Sequence, residues 1–158
     1  MGKTVIKGIK SSSGKITNET LSKFEEEARK HKHPVFTGQS TNNKILVADN
    51  IGFEFGDLRV ETETKHIIVE EESAGSIINL AKYWYCVRKG LDKTKKQLVI
   101  FHIFKQTSKD DYLSHLLLWD FLYGQMKKNV GDKVKAAWYT YRDLEDLDPV
   151  VAEFEKYL

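Results

Sequence analysis

Carboxylates are the side chains in this sequence whose types and spacing could do chemistry. Asp57 follows Gly56, and after twelve further residues Glu70, Glu71 and Glu72 end an apolar segment. Side chains two apart on a strand share a face, so Glu70 and Glu72 should point to one side and Glu71 to the other. If a hairpin joins the two segments, Asp57 comes near Glu70. Three carboxylates at one sheet edge would suit Mg²⁺ or Mn²⁺, which can activate water and stabilise a phosphoryl oxygen.

The strands that must position these acids are predicted from β-branched and aromatic residues between turn residues. Lys44–Asn50, Leu58–Thr64 and His66–Glu72 are expected to form a three-stranded meander, with Lys65 at its tightest turn. Two later segments are predicted to be strands as well, namely Gln97–Phe104, which is almost entirely apolar and therefore central, and Lys135–Tyr141.

Helices are predicted where apolar residues recur at a spacing of three or four. The first runs from about Asn18 to Lys32, and the second covers Ser76–Lys89 with Gly90 after its end. A third is expected to start in a capping box at Ser108, to reach about Lys128 and to be largely buried. The last opens with Asp148 at the N-cap and Pro149 at the first helical position.

This order of elements predicts one α/β domain over residues 1–158, with a central mixed sheet flanked by helices. Residues 1–16 end in a Ser-rich turn and are expected to form a short, mobile N-terminal arm. Composition agrees with a single soluble domain, since 41% of the residues are hydrophobic, 30% are charged and the net charge is +2.

An acid before one strand and E-x-E at the end of the next, within the order α-β-β-β-α-β, resembles the PD-(D/E)xK nuclease superfamily. The resemblance covers roughly Thr17 to Phe104, and the segment from Gly56 to Trp84 carries nearly all of it. It implies a restriction-endonuclease-like core, here followed by an additional α-β-α segment, and a divalent metal ion as cofactor.

Position by position, the resemblance makes Asp57 the motif aspartate and Glu70 the second metal ligand. Glu72 stands where most members have lysine, as in the minority E-x-E members, and is expected to bind the metal or to orient the water. Gly56 occupies a position that is often proline. These two departures leave metal dependence in place and leave the identity of the general base open.

Residues on two helices could complete such a site. Lys82 lies ten residues after Glu72, on the helix that packs beside the site in this fold, and Asn79 precedes it by about one turn. Lys82 is expected to neutralise charge on the scissile phosphate, and Asn79 to help orient water or phosphate. From the first helix, Glu25 is the acid most favourably placed to join them.

The remaining signals bear on partners and location. The single Cys86 excludes an intrachain disulfide framework and a cysteine-based zinc site, which favours a reducing, cytoplasmic compartment. Neither a membrane span nor a secretory signal is expected. Lysine and arginine clusters could form a basic rim around the acids, and His102 and His115 are interpreted as buried core histidines.

Together these observations predict a metal-dependent endonuclease that hydrolyses phosphodiester bonds in DNA, with catalytic residues Asp57, Glu70, Glu72 and Lys82. The resemblance, more than the charge, selects DNA, and RNA stays open as a substrate. A homodimer is expected because cutting both strands needs two sites. The alternatives are a catalytically inactive nucleic-acid-binding or assembly module that keeps the nuclease fold, and an unrelated α/β domain whose acids are merely solvated.

Overall fold

The structure, a computed structural model, describes residues 18–38, 40–72, 77–108 and 111–158, so the predicted arm at 1–16 lies outside the described residues. These described residues form four α-helices and seven strands. In chain order they are α1 Glu19–Lys30, β1 Val35–Thr37, β2 Lys44–Ala48, β3 Ile51–Glu54, β4 Leu58–Glu61, β5 Lys65–Glu72, α2 Ile78–Lys89, β6 Gln97–Lys105, α3 Leu113–Val130, β7 Val134–Tyr141 and α4 Asp148–Glu155.

The main sheet has five strands in the order β1-β4-β5-β6-β7. The first three are antiparallel, while β6 runs parallel to β5 and β7 runs parallel to β6. Because α2 and α3 connect parallel neighbours, the carboxyl ends of β5, β6 and β7 meet at one edge of the sheet. The predicted α/β class, with a mixed central sheet flanked by helices, is confirmed.

Alternation along the strands sends apolar side chains into two cores, one on each face of the sheet. One core packs α1 and α4 against residues such as Val69 and Phe101. The other packs α2 and α3 against residues such as Ile68 and Ile100. The face that carries Ile68 also carries Glu70 and Glu72, so the predicted acids belong to the side covered by α2 and α3.

The predicted meander was wrong in one strand. The segment predicted as Lys44–Asn50 forms β2, which pairs with β3 in a separate two-stranded sheet. The strand that pairs with β4 is instead β1, which has only three residues and follows Pro34, too short to show a periodicity. Lys65, predicted at the turn, is the first residue of β5.

The third helix was also predicted incorrectly at its start. The Asp111 carboxylate accepts hydrogen bonds from the backbone N–H groups of Thr107, at 2.7 Å, and Ser108, at 2.9 Å, and so closes a turn ahead of the helix. Tyr112 then adopts a positive φ of 67°, and α3 begins at Leu113. Asp111 thus stabilises the connection instead of completing a capping box that starts at Ser108.

The predicted burial of this helix was wrong as well. Leu116, Trp119 and Met126 are buried, but Leu117 is 73% exposed and Phe121 is 61% exposed. A single helix can bury only the stripe that faces the sheet, and the apolar residues on the other sides of α3 have no layer to cover them among the described residues.

The other predicted helices and strands are confirmed with small shifts at their ends. Asn18 caps α1, accepting the Thr20 N–H at 2.8 Å, and Gly90 ends α2 with φ of 63°. Asp148, predicted as an N-cap, is the first residue of α4, and Leu147 precedes it as the cap. No helix in the described part of the chain has both the length and the apolar character needed to cross a bilayer.

Gly56 occupies the position that is often proline in the motif that the sequence resembles, and its conformation is one that proline cannot adopt. Its φ is +90°, whereas proline is held near −65°. A Cβ at this position would lie 2.6 Å from Ile68 Cγ2 and 3.0 Å from the carbonyl oxygen of Leu58. The backbone that leads into Asp57 therefore needs glycine for both its dihedral angle and its close approach to β5.

Replacing Gly56 with Ala should lower the free energy of unfolding by about 2–4 kcal/mol, from the cost of positive φ and the clash with Ile68. Urea unfolding measures this change. The matched control is Gly124→Ala in α3, where a Cβ would meet nothing within 4 Å. The higher helix propensity of alanine should raise the free energy of unfolding of this control by about 0.5–1 kcal/mol. An unchanged stability of Gly56→Ala would contradict this account of the turn.

Candidate active site

Asp57 is attached to β5 by a backbone hydrogen bond. It stands one residue before Leu58, whose register partner on β5 is Val69. Its Oδ2 accepts the backbone N–H of Glu71 at 2.8 Å. The positive φ of Gly56 and this hydrogen bond together place the Asp57 carboxylate beside Glu70, as the hairpin prediction required.

Glu70 is buried, with 3% of its surface exposed, and donors on α2 stabilise its charge. Its Oε1 accepts a hydrogen bond from Lys82 Nζ at 2.7 Å and another from the Tyr83 hydroxyl. The Lys82 ammonium also lies 4.5 Å from the centre of the Tyr83 ring. The structure thus brings Lys82 to Glu70 as the sequence predicted, and Tyr83, the next residue on α2, contacts the same carboxylate.

Asn79 links the two outer acids of the E-x-E segment. Its Nδ2 donates to Glu72 Oε1 at 2.7 Å and lies 3.4 Å from Glu70 Oε2. Asn79, Lys82 and Tyr83 occupy helical positions i, i+3 and i+4, which lie on one face of α2. One helix face therefore serves both carboxylates.

Glu71 points to the opposite side of the sheet. Its carboxylate accepts hydrogen bonds from the Asn18 amide and the Tyr141 hydroxyl, on the face covered by α1. The predicted alternation of Glu70 and Glu72 against Glu71 is therefore confirmed. Glu71 contributes to the site only through its backbone N–H.

His102 of β6 lies opposite Glu70 in the parallel register and is 1% exposed. Its Nδ1 accepts the indole N–H of Trp119 at 2.9 Å, and its Nε2 lies 3.5 Å from Glu72 Oε1. The sequence correctly predicted that His102 is buried, but no sequence pattern indicated that it lies close to the acids. His115, also predicted to be buried, is exposed on α3.

The electrostatics of the site are dominated by carboxylates. Burial, and then the negative charge of Glu70, raise the pKa of Asp57 to about 8, although the Glu71 N–H and Lys82 act in the opposite direction. Burial and the charge of Glu70 also raise the pKa of Tyr83 well above its ordinary value, so its hydroxyl remains a donor at neutral pH. The raised pKa thus favours the neutral form of Asp57 at neutral pH, and Lys82 forms an ion pair with Glu70.

The donor set of the three acids fits Mg²⁺ or Mn²⁺, because carboxylate oxygens are the ligands these ions prefer. Their present spacing does not form a closed cage. Among the residues that the structure describes, the one group with three ligand atoms mutually within 4.8 Å is Glu27, His31 and Glu155, on the surface. Binding of one ion by Asp57, Glu70 and Glu72 together would need side-chain movement.

Glu25 is not brought to this cluster. It is buried and its Oε1 accepts Arg29 Nε at 2.9 Å within α1. Because α1 packs on the sheet face opposite Glu70, the prediction that Glu25 joins the site has no geometric support.

Comparison of the chain with family models, curated proteins and solved structures gave no match. The site is therefore interpreted from its own geometry.

Replacing Asp57 with Asn should change how stability depends on pH when divalent ions are absent. The folded-state pKa of Asp57 is raised from 3.8 to about 8. The protonated carboxyl therefore contributes fully to the free energy of unfolding below pH 4, and this contribution is lost as the pH rises to about 8. Each pKa unit corresponds to about 1.4 kcal/mol. The free energy of unfolding of the variant should thus equal that of the wild type near pH 4 and exceed it by a few kcal/mol above pH 8.

Urea unfolding from pH 4 to 9 measures this difference. Asp49→Asn, at an exposed aspartate in the β2–β3 turn, is the matched control and should keep the wild-type pH profile. If Asp57→Asn also followed the wild-type profile, Asp57 would not be the protonated acid of the site.

Proposed function

We propose that this protein is a metal-dependent endonuclease of the PD-(D/E)xK type that hydrolyses phosphodiester bonds in DNA. The observation that carries the proposal is the meeting of Lys82 from α2 with Glu70 of β5, at 2.7 Å. A lysine beside the acids is what the resembled motif requires, and this chain lacks one at position 72.

The topology supports a restriction-endonuclease-like core. After α1, three antiparallel strands, β1, β4 and β5, are followed by α2 and by β6 parallel to β5. This is the α-β-β-β-α-β order of the resembled fold, with the β2–β3 hairpin inserted between its first two strands and β7 added beyond β6.

Asp57, Glu70 and Glu72 are the residues that would hold Mg²⁺ or Mn²⁺. When bound, such an ion activates water and polarises a phosphoryl oxygen. Tyr83 and Asn79 hold the carboxylates of Glu70 and Glu72 in defined orientations. The Lys82 ammonium is the positive side chain placed to neutralise charge that develops on a phosphate.

Two groups of basic residues, one at the sheet edge of the site and one farther along α2, favour a polyanionic substrate. Lys105 ends β6, one residue beyond the pair of Phe104 with Glu72, and is exposed at the same sheet edge. A second basic cluster, from Arg88 to Lys96, begins near the carboxyl end of α2, where Arg88 follows Lys82 by six residues, or about 9 Å along the helix axis. A nucleic-acid backbone could contact both regions, and its phosphates would offset the repulsion from the acids.

The proposal predicts Mg²⁺- or Mn²⁺-dependent cutting of supercoiled plasmid, single-stranded DNA or branched DNA. Asp57→Asn, Glu70→Gln and Lys82→Met should each lower the cutting rate by at least about 100-fold. Glu71→Gln on the same strand is the matched control, because its side chain faces α1, and it should cut like the wild type. Gel assays with each ion and with EDTA measure these rates.

The other outcomes decide between the alternatives. If the protein binds DNA without cutting it, an inactive binding module with the same fold is favoured. If it neither binds nor cuts DNA, an unrelated domain is favoured. Faster cutting of a matched RNA strand would change the substrate class. Full activity in Asp57→Asn would refute the site.

A homodimer is part of the proposal, because one chain carries one such site and cutting of both strands needs two. Sedimentation velocity, with and without a DNA duplex, should show a species of twice the chain mass. A monomer that nevertheless linearises plasmid in a single binding event would contradict it.

A further inference from the structure

We infer that His102 is a positioning residue of the proposed active site and that its Nε2–H holds the carboxylate of Glu72. The inference rests on the proposed function and assigns a role to a residue that the resembled motif does not include. His102 comes from β6, the strand parallel to β5, where it lies opposite Glu70 in the register.

The first support is an unsatisfied polar atom. Among the buried side-chain nitrogen and oxygen atoms of the described residues, His102 Nε2 is the one without a hydrogen-bond partner. A buried donor left unpaired costs about 1–3 kcal/mol, so its retention needs an explanation. The atom lies 3.5 Å from Glu72 Oε1, a few tenths of an ångström beyond an ordinary hydrogen bond.

The second support is the assignment of the proton to one of the two ring nitrogens of His102. The indole Nε1 of Trp119 can only donate, and it donates to His102 Nδ1 at 2.9 Å. Nδ1 therefore carries no proton, and in the neutral ring the proton is on Nε2. A protonated Nε2 cannot bind a metal ion. The indole thus excludes His102 as a ligand and leaves its Nε2–H as a donor 3.5 Å from Glu72 Oε1.

The third support is that both donors lie near the same oxygen of the Glu72 carboxylate. Oε1 already accepts Asn79 Nδ2 at 2.7 Å, and His102 approaches the same oxygen. With His102 as a second donor beside Asn79, rotation of the carboxylate would be restricted at Oε1, and Oε2 would be left to accept a ligand. Such outer contacts commonly change metal affinity or activity by 10–100-fold.

Two substitutions separate this role from packing. The Nε2 atom of glutamine can occupy the place of histidine Nε2, whereas the shorter asparagine reaches only the Nδ1 position. His102→Gln should therefore keep the Mn²⁺ dissociation constant within about 3-fold, and His102→Asn should weaken it by about 10–100-fold. Titration calorimetry with Mn²⁺ measures both, and thermal unfolding shows that each variant is folded.

A spectroscopic measurement tests the tautomer without activity. Nitrogen-15 NMR of the wild type should show an unprotonated Nδ1 and a protonated Nε2 on His102. Trp119→Phe removes the indole donor and should produce a mixture of tautomers. Cutting assays should show that His102→Asn needs more Mn²⁺ for half-maximal rate, and that saturating Mn²⁺ restores part of the loss.

The outcomes distinguish this inference from the proposed function. A proton on Nδ1 of the wild type, or wild-type Mn²⁺ affinity in His102→Asn, overturns the positioning role even if the protein cuts DNA. A wild type that neither binds Mn²⁺ nor cuts overturns both, even if the spectrum shows the proton on Nε2. Loss of affinity in His102→Asn with retention in His102→Gln supports the role.

Discussion

The burial of two neighbouring carboxylates, Asp57 and Glu70, is the constraint on which the rest of this structure depends. Removing carboxylates from water is costly unless each charge is paired or neutralised. Glu70 is paired with Lys82 and Tyr83, while Asp57, bonded to the Glu71 N–H, has its pKa raised to about 8. These needs fix where α2 must pack and which of its faces must turn towards the sheet.

A second buried charge holds the segment that presents Asp57. Arg59 of β4 lies with its guanidinium carbon 4.0 Å from the centre of the Phe36 ring, and its Nε donates to Asn43 Oδ1 at 3.0 Å. Asn43 Nδ2 in turn donates to the carbonyl oxygen of Gly56 at 2.8 Å. The loop before the β2–β3 hairpin is thereby connected to the strained turn at Gly56, so an insertion that looks peripheral helps to orient the acid.

Sequence reasoning reached the parts of the site that depend on local periodicity. Alternation along β5 was sufficient to put Glu70 and Glu72 on one face, and helical spacing was sufficient to put Asn79 beside Lys82. It did not reach contacts between elements distant in the chain, such as His102 with Trp119, because no pattern records which faces meet. It also overestimated the burial of α3, since an apolar composition does not say how many layers will cover a helix.

The arrangement of the three acids and the proposed function follow from the same surplus of negative charge. The surplus is reduced in two ways, by the neutral form of Asp57, which its raised pKa favours, and by the Lys82 ammonium on Glu70. A divalent cation among the three acids would make both unnecessary, which would free Asp57 to ionise and Lys82 to turn towards a phosphate. The contact between Lys82 and Glu70 is thus one that such an ion would displace, whereas Asn79 donates to a Glu72 oxygen that need not change partners.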